Sequence, residues 1–210
     1  MNAPLDSIQA TGIALVDQPK LFQHCRIDMP AGSTLTSNAF RLEHFQGQEN
    51  ASDLFEYQLE LHGDSDPQAD PIDFAQIIGR PITVGIASAT FADTSQAQLS
   101  FAQALGGEGQ ADDFALFNGV VASFGIDIPG VYHLTMRPAA WRMTLTNRYR
   151  VFRQMCVREV LTTLCREHRV TASFDGLAGE YNLASTRKQD WLQAGETDFE
   201  FMRRLMGKAH

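Results

Sequence analysis

The carboxylates best placed to do chemistry in this chain lie in one short stretch. Asp64, Asp66, Asp70 and Asp73 fall within a span that also contains two prolines. Oxygen-rich loops of this kind can bind calcium, but the glycine and the distal glutamate of an EF-hand loop are missing here. We therefore predict a solvated loop followed by a helix cap at Asp73, and no metal site.

The cysteines and histidines show no spacing that is typical of a catalytic or metal site. Cys25, Cys156 and Cys165 are odd in number, include no Cys-x-x-Cys pair and lie in apolar patterns, so we expect buried thiols in a reducing compartment. The sequence contains no HExxH, GxSxG, P-loop or GxGxxG motif, and these are the short motifs that carry a recognisable mechanism. It therefore predicts no catalytic residue, no cofactor and no metal ligand, and a protein that is not an enzyme.

One alternative of a different class stays open on the sequence alone. Trp141 and Tyr149 could stack on sugar rings, and Asp64, Asp66 or Asp127 could supply a carboxylate pair for a β-domain that binds or hydrolyses cell-wall glycans. We expect Trp141 to be a buried core residue. An exposed Trp141 beside two carboxylates would favour the glycan alternative instead.

Opposite charges are concentrated in two separate stretches. From Glu43 to Asp73 there are nine carboxylates and no Lys or Arg, whereas Arg137 to Arg169 contains eight Arg and two Glu. Arginine suits interface ion pairs, so the stretches could be complementary faces that pair head to tail between copies. Two solvated surfaces are the alternative. The candidate residues of a subunit or tube interface are Glu43, Glu49, Asp53, Arg142, Arg148, Arg150 and Arg153.

Composition limits the classes of protein to consider. The 210 residues carry a formal net charge of −8 and are 44% hydrophobic, as in a folded protein of one large or two small domains. The negative charge argues against a nucleic-acid partner. No apolar stretch approaches the length of a membrane span, and the N-terminus has no signal-peptide pattern. We expect a cytoplasmic protein without stable membrane insertion.

Two-residue alternation of apolar and polar side chains predicts an antiparallel β-barrel or sandwich. The alternation is plainest from Phe55 to His62. A short plug helix is predicted after Asp73, and the Gly-rich stretch from Asp93 to Asp113 is predicted to be a long mobile loop. Further strands are predicted around Cys25–Met29, Phe40–Leu42, Ile82–Ile86, Phe124–Ile128 and Tyr132–Met136.

The period changes from two to between three and four after about Asn147, which predicts helices in the last third of the chain. One helix is expected from Val157 to His168, and a second begins at the capping-box spacing of Thr197 and Glu200. The predicted organisation is a flexible arm over residues 1–21, a barrel over 22–148, and an α+β segment over 149–210 that begins a second subdomain and is truncated.

Several motifs together resemble one known family. They are the run from Phe40 to Ile86, the segment FNGVVASF, the run from Tyr132 to His168, and ETDFEFMRRLM. Their order and spacing resemble the N-terminal part of valine-glycine repeat protein G (VgrG), the spike of type VI secretion, over about Phe22 to Met206. Each motif is modest when taken alone, but their combined order is specific.

The resemblance implies a mainly β, α+β fold: a phage tail-hub-like antiparallel barrel with a plug helix and two later helices. It implies three copies in a pseudo-sixfold ring that docks on the hexameric Hcp tube, with other baseplate proteins or effectors as further partners. It also implies a structural role without catalysis and export by the type VI machine without a signal peptide. A phage tail baseplate hub is the nearest alternative. Because the family continues into a second barrel, we expect this chain alone to form weak oligomers.

Overall fold

The computed structural model describes residues 23–31, 33, 35–36, 39–50, 53–63, 72–88, 94–106, 113–174 and 187–208. The chain divides into two compact units. The larger comprises residues 23–85 and 116–210, and the smaller comprises residues 1–22 and 86–115. The predicted N-terminal arm lies outside the described residues, and the predicted domain boundaries near residues 22 and 149 stay a prediction.

Eight strands, four α-helices and a 3₁₀ helix make up the described elements. A six-stranded sheet has the order β1-β4-β5-β6-β3-β2, and β7 and β8 form a separate two-stranded ribbon. The strands are β1 Gln23–Ile27, β2 Phe40–Gln48, β3 Glu56–Gly63, β4 Pro81–Ala87, β5 Phe114–Ile128, β6 Val131–Arg137, β7 Asn147–Met155 and β8 Gln189–Thr197. The helices are α1 Phe74–Ile77, α2 Thr94–Gly106, α3 Val157–Glu167 and α4 Asp198–Lys208, and the 3₁₀ helix is Ala139–Thr144.

The six-stranded sheet is curled into a half-barrel. Its two outer strands approach each other closely enough for Cys25 Sγ, on β1, to donate a hydrogen bond to the Phe40 carbonyl of β2 at 3.6 Å. On the inner face, the rings of Phe40, Phe124 and Tyr132 contact one another at centroid distances of 5.2 to 5.5 Å. The pairs β2–β3, β3–β6 and β5–β6 are antiparallel. The predicted fold class, a mainly antiparallel tail-hub-like β structure, is confirmed.

Strand β3 follows the alternation that the sequence predicts. Tyr57, Leu59 and Leu61 are buried, whereas Gln58 between them is exposed. Leu59 lies opposite Leu134 of β6, so neighbouring strands supply apolar residues at the same level of the core. A shift of one residue would turn this whole face to solvent, which is why burial fixes the register.

The strand predicted around Phe124–Ile128 is confirmed as the end of β5, but burial does not follow its apolar alternation to the end. Phe124 is buried, but Ile126 is 45% and Ile128 is 58% exposed. The register with β6 is irregular between Ile126 and Ile128, and the strand then turns at Gly130, whose φ is +86°. Ile126 lies before this irregularity, in regular register with Tyr132, so its exposure has another cause. The apolar alternation therefore continues past the part of the strand that the core covers.

The stretch predicted to be a long mobile loop contains a helix, α2, within the smaller unit. Ala97 and Phe101 lie four residues apart on one face of α2, and both are buried. Phe101 packs with Ala87 and Phe114, and Ser100 Oγ donates to Asp113 Oδ2 at 2.8 Å. The sequence pattern was misread because the apolar stripe is short and the many Ala, Gln and Ser residues hide its period.

The other helices begin where the sequence predicts. Asp73 Oδ1 accepts a hydrogen bond from the Ala75 amide at 3.0 Å and caps the short helix α1. Helix α3 presents five buried residues at three- and four-residue spacing. Before α4, the Thr197 amide donates to Glu200 Oε2 at 2.8 Å and the Glu200 amide donates to Thr197 Oγ1 at 3.1 Å. This reciprocal pair is the predicted capping box.

Candidate functional site around the two-stranded ribbon

A buried carboxylate, Asp198, lies where β7, β8 and two helices meet. It is the first residue of α4, and none of its side-chain surface is exposed. Its Oδ1 accepts hydrogen bonds from Arg150 Nη2 at 2.9 Å and from Gln193 Nε2 at 2.8 Å. Its Oδ2 lies 2.7 Å from His168 Nε2, at the end of α3, and 3.5 Å from Arg148 Nε. Side chains from three other parts of the chain therefore surround one carboxylate.

A second carboxylate, Glu167 of α3, shares the same arginines. Its Oε2 accepts from Arg150 Nη1 at 2.8 Å and from Arg148 Nη1 at 3.3 Å. Two guanidinium groups thus meet two carboxylates, so their formal charges cancel. We call this group the Asp198 cluster, and its members are Arg148, Arg150, Glu167, His168, Gln193 and Asp198.

The electrostatics of the cluster keep Asp198 ionised. Burial raises the pKa of Asp198, but hydrogen bonds from His168 and Gln193 and the positive charges of Arg150 and Arg148 lower it by more. The pKa of Asp198 therefore lies below its ordinary value of 3.8. Without these partners a carboxylate in such a place would take up a proton to escape the cost of a buried charge.

This arrangement is suited to holding elements together. Both oxygens of Asp198 are already within hydrogen-bond distance of donors or of the His168 ring, and its lowered pKa makes it a weak proton acceptor at neutral pH. Charge-assisted hydrogen bonds of this kind fix geometry strongly when they are buried. The cluster therefore ties β7, β8, the end of α3 and the start of α4 to one point.

An apolar core lies on the same side of the ribbon. Phe152 of β7 and Trp191 of β8 pack with residues of α3 and α4, among them Leu164 and Phe201. The rings of Phe152 and Phe201 are stacked with centroids 5.6 Å apart, and Trp191 Nε1 donates to the Met155 carbonyl at 2.9 Å. One face of the ribbon is thus covered by two helices, with polar and apolar contacts side by side.

The opposite face of the ribbon is exposed and partly apolar. Tyr149 is 84%, Val151 52% and Leu192 58% exposed, and Val151 lies directly opposite Leu192. Gly195 has a φ of +82°, a conformation that favours glycine, and a Cβ at that position would come within 2.5 Å of Tyr149 Oη. We call this face the outer ribbon face, and its exposed members are Tyr149, Val151, Arg153, Asp190, Leu192 and Ala194.

The two edges of the ribbon differ. On β8, Arg204 of α4 donates from Nη2 to the Leu192 carbonyl at 2.7 Å and from Nε to Glu196 Oε2 at 3.0 Å. A charged side chain on the backbone of an edge strand blocks pairing with another strand. On β7, no other described element supplies a backbone hydrogen bond to the free edge between Tyr149 and Arg153.

The four arginines that the sequence analysis predicts to lie in an interface occupy different environments. Arg148 and Arg150 turn inward and belong to the Asp198 cluster. Arg142 Nη2 donates to the Gly79 carbonyl at 2.7 Å. Arg153 is exposed on the outer ribbon face, and within the described residues it has no ion pair. Of the four, Arg153 alone keeps its charge available at the surface in this part of the chain.

The predicted acidic residues mostly have partners close by in the sequence. Glu43 pairs with Arg41 at 2.6 Å. Glu49 accepts a hydrogen bond from the hydroxyl of Tyr57, and burial together with this bond raises the pKa of Tyr57 to about 12. Asp53 Oδ1 accepts from the amide of the next residue at 2.8 Å. Their role in an interface stays a prediction.

Among the residues that the structure describes, the two charged stretches meet in one ion pair. Arg137, at the end of β6, forms an ion pair with Glu56, at the start of β3. The sequence predicted pairing between copies from the same opposite charges. At this one position the partner is in the same chain because β3 and β6 are neighbours in the sheet.

The residues that favoured a glycan site do not converge in the described part of the chain. Trp141 is half-buried in the 3₁₀ helix, 5.9 Å from the Arg137 guanidinium, so the expected full burial was wrong. Asp127 lies 3.6 Å from His133, whereas Asp64 and Asp66 fall outside the described residues.

Within the described ranges, no three His, Cys, Asp or Glu side chains are arranged to hold a metal ion. None of the helices described there is long and apolar enough to cross a membrane.

Sequence reasoning missed the Asp198 cluster as a unit. It identified His168 as the end of a helix and Asp198 as part of a capping sequence, and it assigned Arg148 and Arg150 to an interface. Arg150 and Asp198 are separated by 48 positions, so no local spacing connects them. Asp198 is one of two acidic residues in the first turn of α4, with Glu200, so nothing in the sequence singled it out.

Comparison with known proteins identifies a family. A model of the phage tail baseplate hub family (GPD) matches residues 48–209. Two type VI secretion system spike proteins of Pseudomonas aeruginosa are similar: VgrG1c is 27% identical over 196 residues, covering 90% of this chain and 22% of that protein. VgrG1b is 26% identical over 197 residues, covering 92% of this chain and 22% of that protein. The chain thus spans about a fifth of the length of these relatives, and the predicted resemblance is confirmed.

A solved structure has the same fold. It is the E. coli c3393 protein, described as a component of the type VI secretion system with structural similarity to the T4 bacteriophage tail proteins gp27 and gp5. The TM-score is 0.51 at 15% sequence identity, over 87% of this chain and 42% of that one. At this identity the likeness concerns the fold.

Proposed function

This chain belongs to the phage tail baseplate hub family, and we propose that it is a structural part of the type VI secretion puncturing spike. In this role it forms part of the hub that docks on the hexameric Hcp tube. The observation that carries the proposal is the family match over residues 48–209, together with similarity to two spike proteins over nine-tenths of the chain.

A structural role agrees with the chemistry of the described residues. The Asp198 cluster has its carboxylates paired with arginines and its central carboxylate buried, which suits a role in stabilising the arrangement of the elements around it. The proposal includes no catalysis. It includes self-assembly into a ring of three copies in the longer protein and contacts with other baseplate proteins or effectors.

The proposal also covers the surface used in assembly. Glu49, Asp53 and Arg153 are exposed, and they are the predicted interface residues best placed to contact another protein. Arg148 and Arg150 contribute indirectly, because their ion pairs with Asp198 hold β7 in position. The protein is made in the cytoplasm and leaves the cell with the contracting machine.

Deletion of the gene in its source bacterium tests this function. We expect the Hcp tube protein to disappear from the culture medium while its level inside the cell is unchanged, and the intact gene supplied in trans to restore its release. A cytoplasmic enzyme measured in the medium controls for lysis. Unchanged release of Hcp would overturn the proposal.

A phage tail hub is the second candidate because the matching family is named for that structure. The same deletion strain distinguishes the two. If the chain serves a prophage tail, deletion abolishes infectious particles after induction and leaves Hcp release intact.

A further inference from the structure

The 3₁₀ helix Ala139–Thr144 connects the six-stranded sheet to the ribbon. It follows β6 of the sheet, which ends at Arg137, and precedes β7 of the ribbon, which begins at Asn147. We call β7, β8, α3 and α4 together the ribbon subdomain. Helix α4 contacts the 3₁₀ helix more extensively than it contacts β2, β3 or β6. Within the larger unit, the 3₁₀ helix is therefore a principal contact between the sheet and the ribbon subdomain.

On one side, Met143 anchors the 3₁₀ helix in the ribbon subdomain. This side chain is 1% exposed, and it packs with Cys165 of α3 and Phe199 of α4. Leu54, which lies just before β3 of the sheet, packs against the same cluster. Because interiors are closely packed, removal of the Met143 side chain would leave a cavity between the 3₁₀ helix and the two helices.

On another side, Arg142 anchors the 3₁₀ helix in the sheet. Its Nη2 donates a hydrogen bond to the Gly79 carbonyl at 2.7 Å. The Gly79 amide donates to the Val121 carbonyl of β5 at 2.8 Å, and the Val121 amide donates to the Arg80 carbonyl at 2.9 Å. The turn at Gly79 is thus fixed on β5, so Arg142 binds a part of the chain that the sheet holds in place.

The 3₁₀ conformation explains how two neighbouring residues reach different parts of the chain. With three residues per turn, successive side chains point about 120° apart. The Trp141 amide donates to the Pro138 carbonyl at 2.9 Å, and Thr144 Oγ1 donates to the Trp141 carbonyl at 2.7 Å. These bonds hold the segment in a short, defined turn. A displacement of one anchor is therefore passed directly to the other.

We propose that the 3₁₀ helix couples the sheet to the ribbon subdomain, with Met143 and Arg142 as its anchors, so that the two parts open as one unit. When both anchors hold, opening of one part also breaks contacts of the other. When one anchor is removed, each part opens by itself. The proposal rests on contacts between described residues of this chain and does not depend on type VI secretion.

Native-state hydrogen exchange of the full chain, measured for peptides from β3 and from α3, tests this coupling. Leu59→Ala perturbs the sheet, and we expect it to accelerate exchange in β3 and in α3 by the same factor, about thirty-fold or more. In a Met143→Ala background, the further change Leu59→Ala should accelerate exchange in β3 alone. Acceleration of α3 by Leu59→Ala in both backgrounds, or in neither, would overturn the proposal.

Met143→Leu is the matched control for the first anchor. It nearly preserves the volume of the side chain, so Leu59→Ala should still accelerate exchange equally in β3 and α3. Loss of this common response in the Met143→Leu background would overturn the role of Met143 as an anchor that acts by packing.

Arg142→Gln tests the second anchor without making a cavity in the core. Leu164→Ala perturbs the buried face of α3, and we expect it to accelerate exchange in β3 as much as in α3. In an Arg142→Gln background the acceleration in β3 should be about ten-fold smaller, because the charged donor to Gly79 is lost. Arg166→Gln, an exposed change of the same kind on α3, is the control. Equal responses of β3 in these two backgrounds would overturn the proposal.

Discussion

Arg150 of β7 donates a hydrogen bond to Asp198 of α4 at 2.9 Å, and this carboxylate has no exposed surface. The same guanidinium lies 4.7 Å from the ring of Phe152, so it connects the polar cluster to the apolar core of the ribbon. A buried charge pair contributes little net stability when intact but costs much when one partner is removed. This contact therefore fixes the position of α4 relative to the ribbon.

Removal of the Asp198 carboxylate should destabilise the protein strongly. Asp198→Ala leaves the charges of Arg148 and Arg150 without a buried partner, and we expect a loss of about 3 to 5 kcal/mol in the free energy of unfolding. Glu200→Gln, on the exposed side of the same helix, should cost less than about 1 kcal/mol. Urea unfolding followed by circular dichroism measures the stability of both variants. Equal losses would contradict a stabilising role for the buried Asp198 carboxylate.

The Asp198 cluster should also shape the acid limit of stability. The pKa of Asp198 is lower in the folded protein than its ordinary value of 3.8. The stabilisation is therefore complete above the unfolded-state pKa and is lost as the pH falls through the folded-state pKa. Melting temperatures of the wild type should fall below about pH 4, and Asp198→Asn should reduce that slope. An identical acid profile in the variant would rule out this contribution.

The alternation of β3 gives a direct test of the sheet's faces. Leu59 is 2% exposed, and Gln58 beside it is exposed. Leu59→Ala should cost about 2 to 5 kcal/mol through lost burial and the cavity that remains, whereas Gln58→Ala should stay within about 0.5 kcal/mol. Thermal melts that place the two variants at the same temperature would mean that the faces are assigned the wrong way round.

Helix α2 can be tested in the same manner within the smaller unit. Phe101 is 5% exposed and Leu99 is 62% exposed. Phe101→Ala should lower the stability of the smaller unit by about 3 to 5 kcal/mol, because it removes a ring from the cluster with Ala87 and Phe114. Leu99→Ala should change the stability little. Hydrogen exchange of the α2 amides is the measurement, and equal protection in both variants would argue against the helix packing.

Sequence alone determined the features that rest on local spacing. The alternation at Tyr57, Leu59 and Leu61 predicted a strand with one buried face, and Thr197 with Glu200 predicted the start of α4. Such signals are readable because a strand repeats every two residues and a helix every 3.6. The family resemblance depended on the order of several such motifs and was likewise confirmed.

Tertiary structure decided which charges meet. Arg148 and Arg150 looked like surface arginines, and only the packing of α3 and α4 on the ribbon brings Glu167 and Asp198 to them. It also decided that Ile126 and Ile128 are exposed, because the core does not cover the end of β5. Contacts between residues far apart in the chain depend on how elements pack, and no spacing within one element encodes that packing.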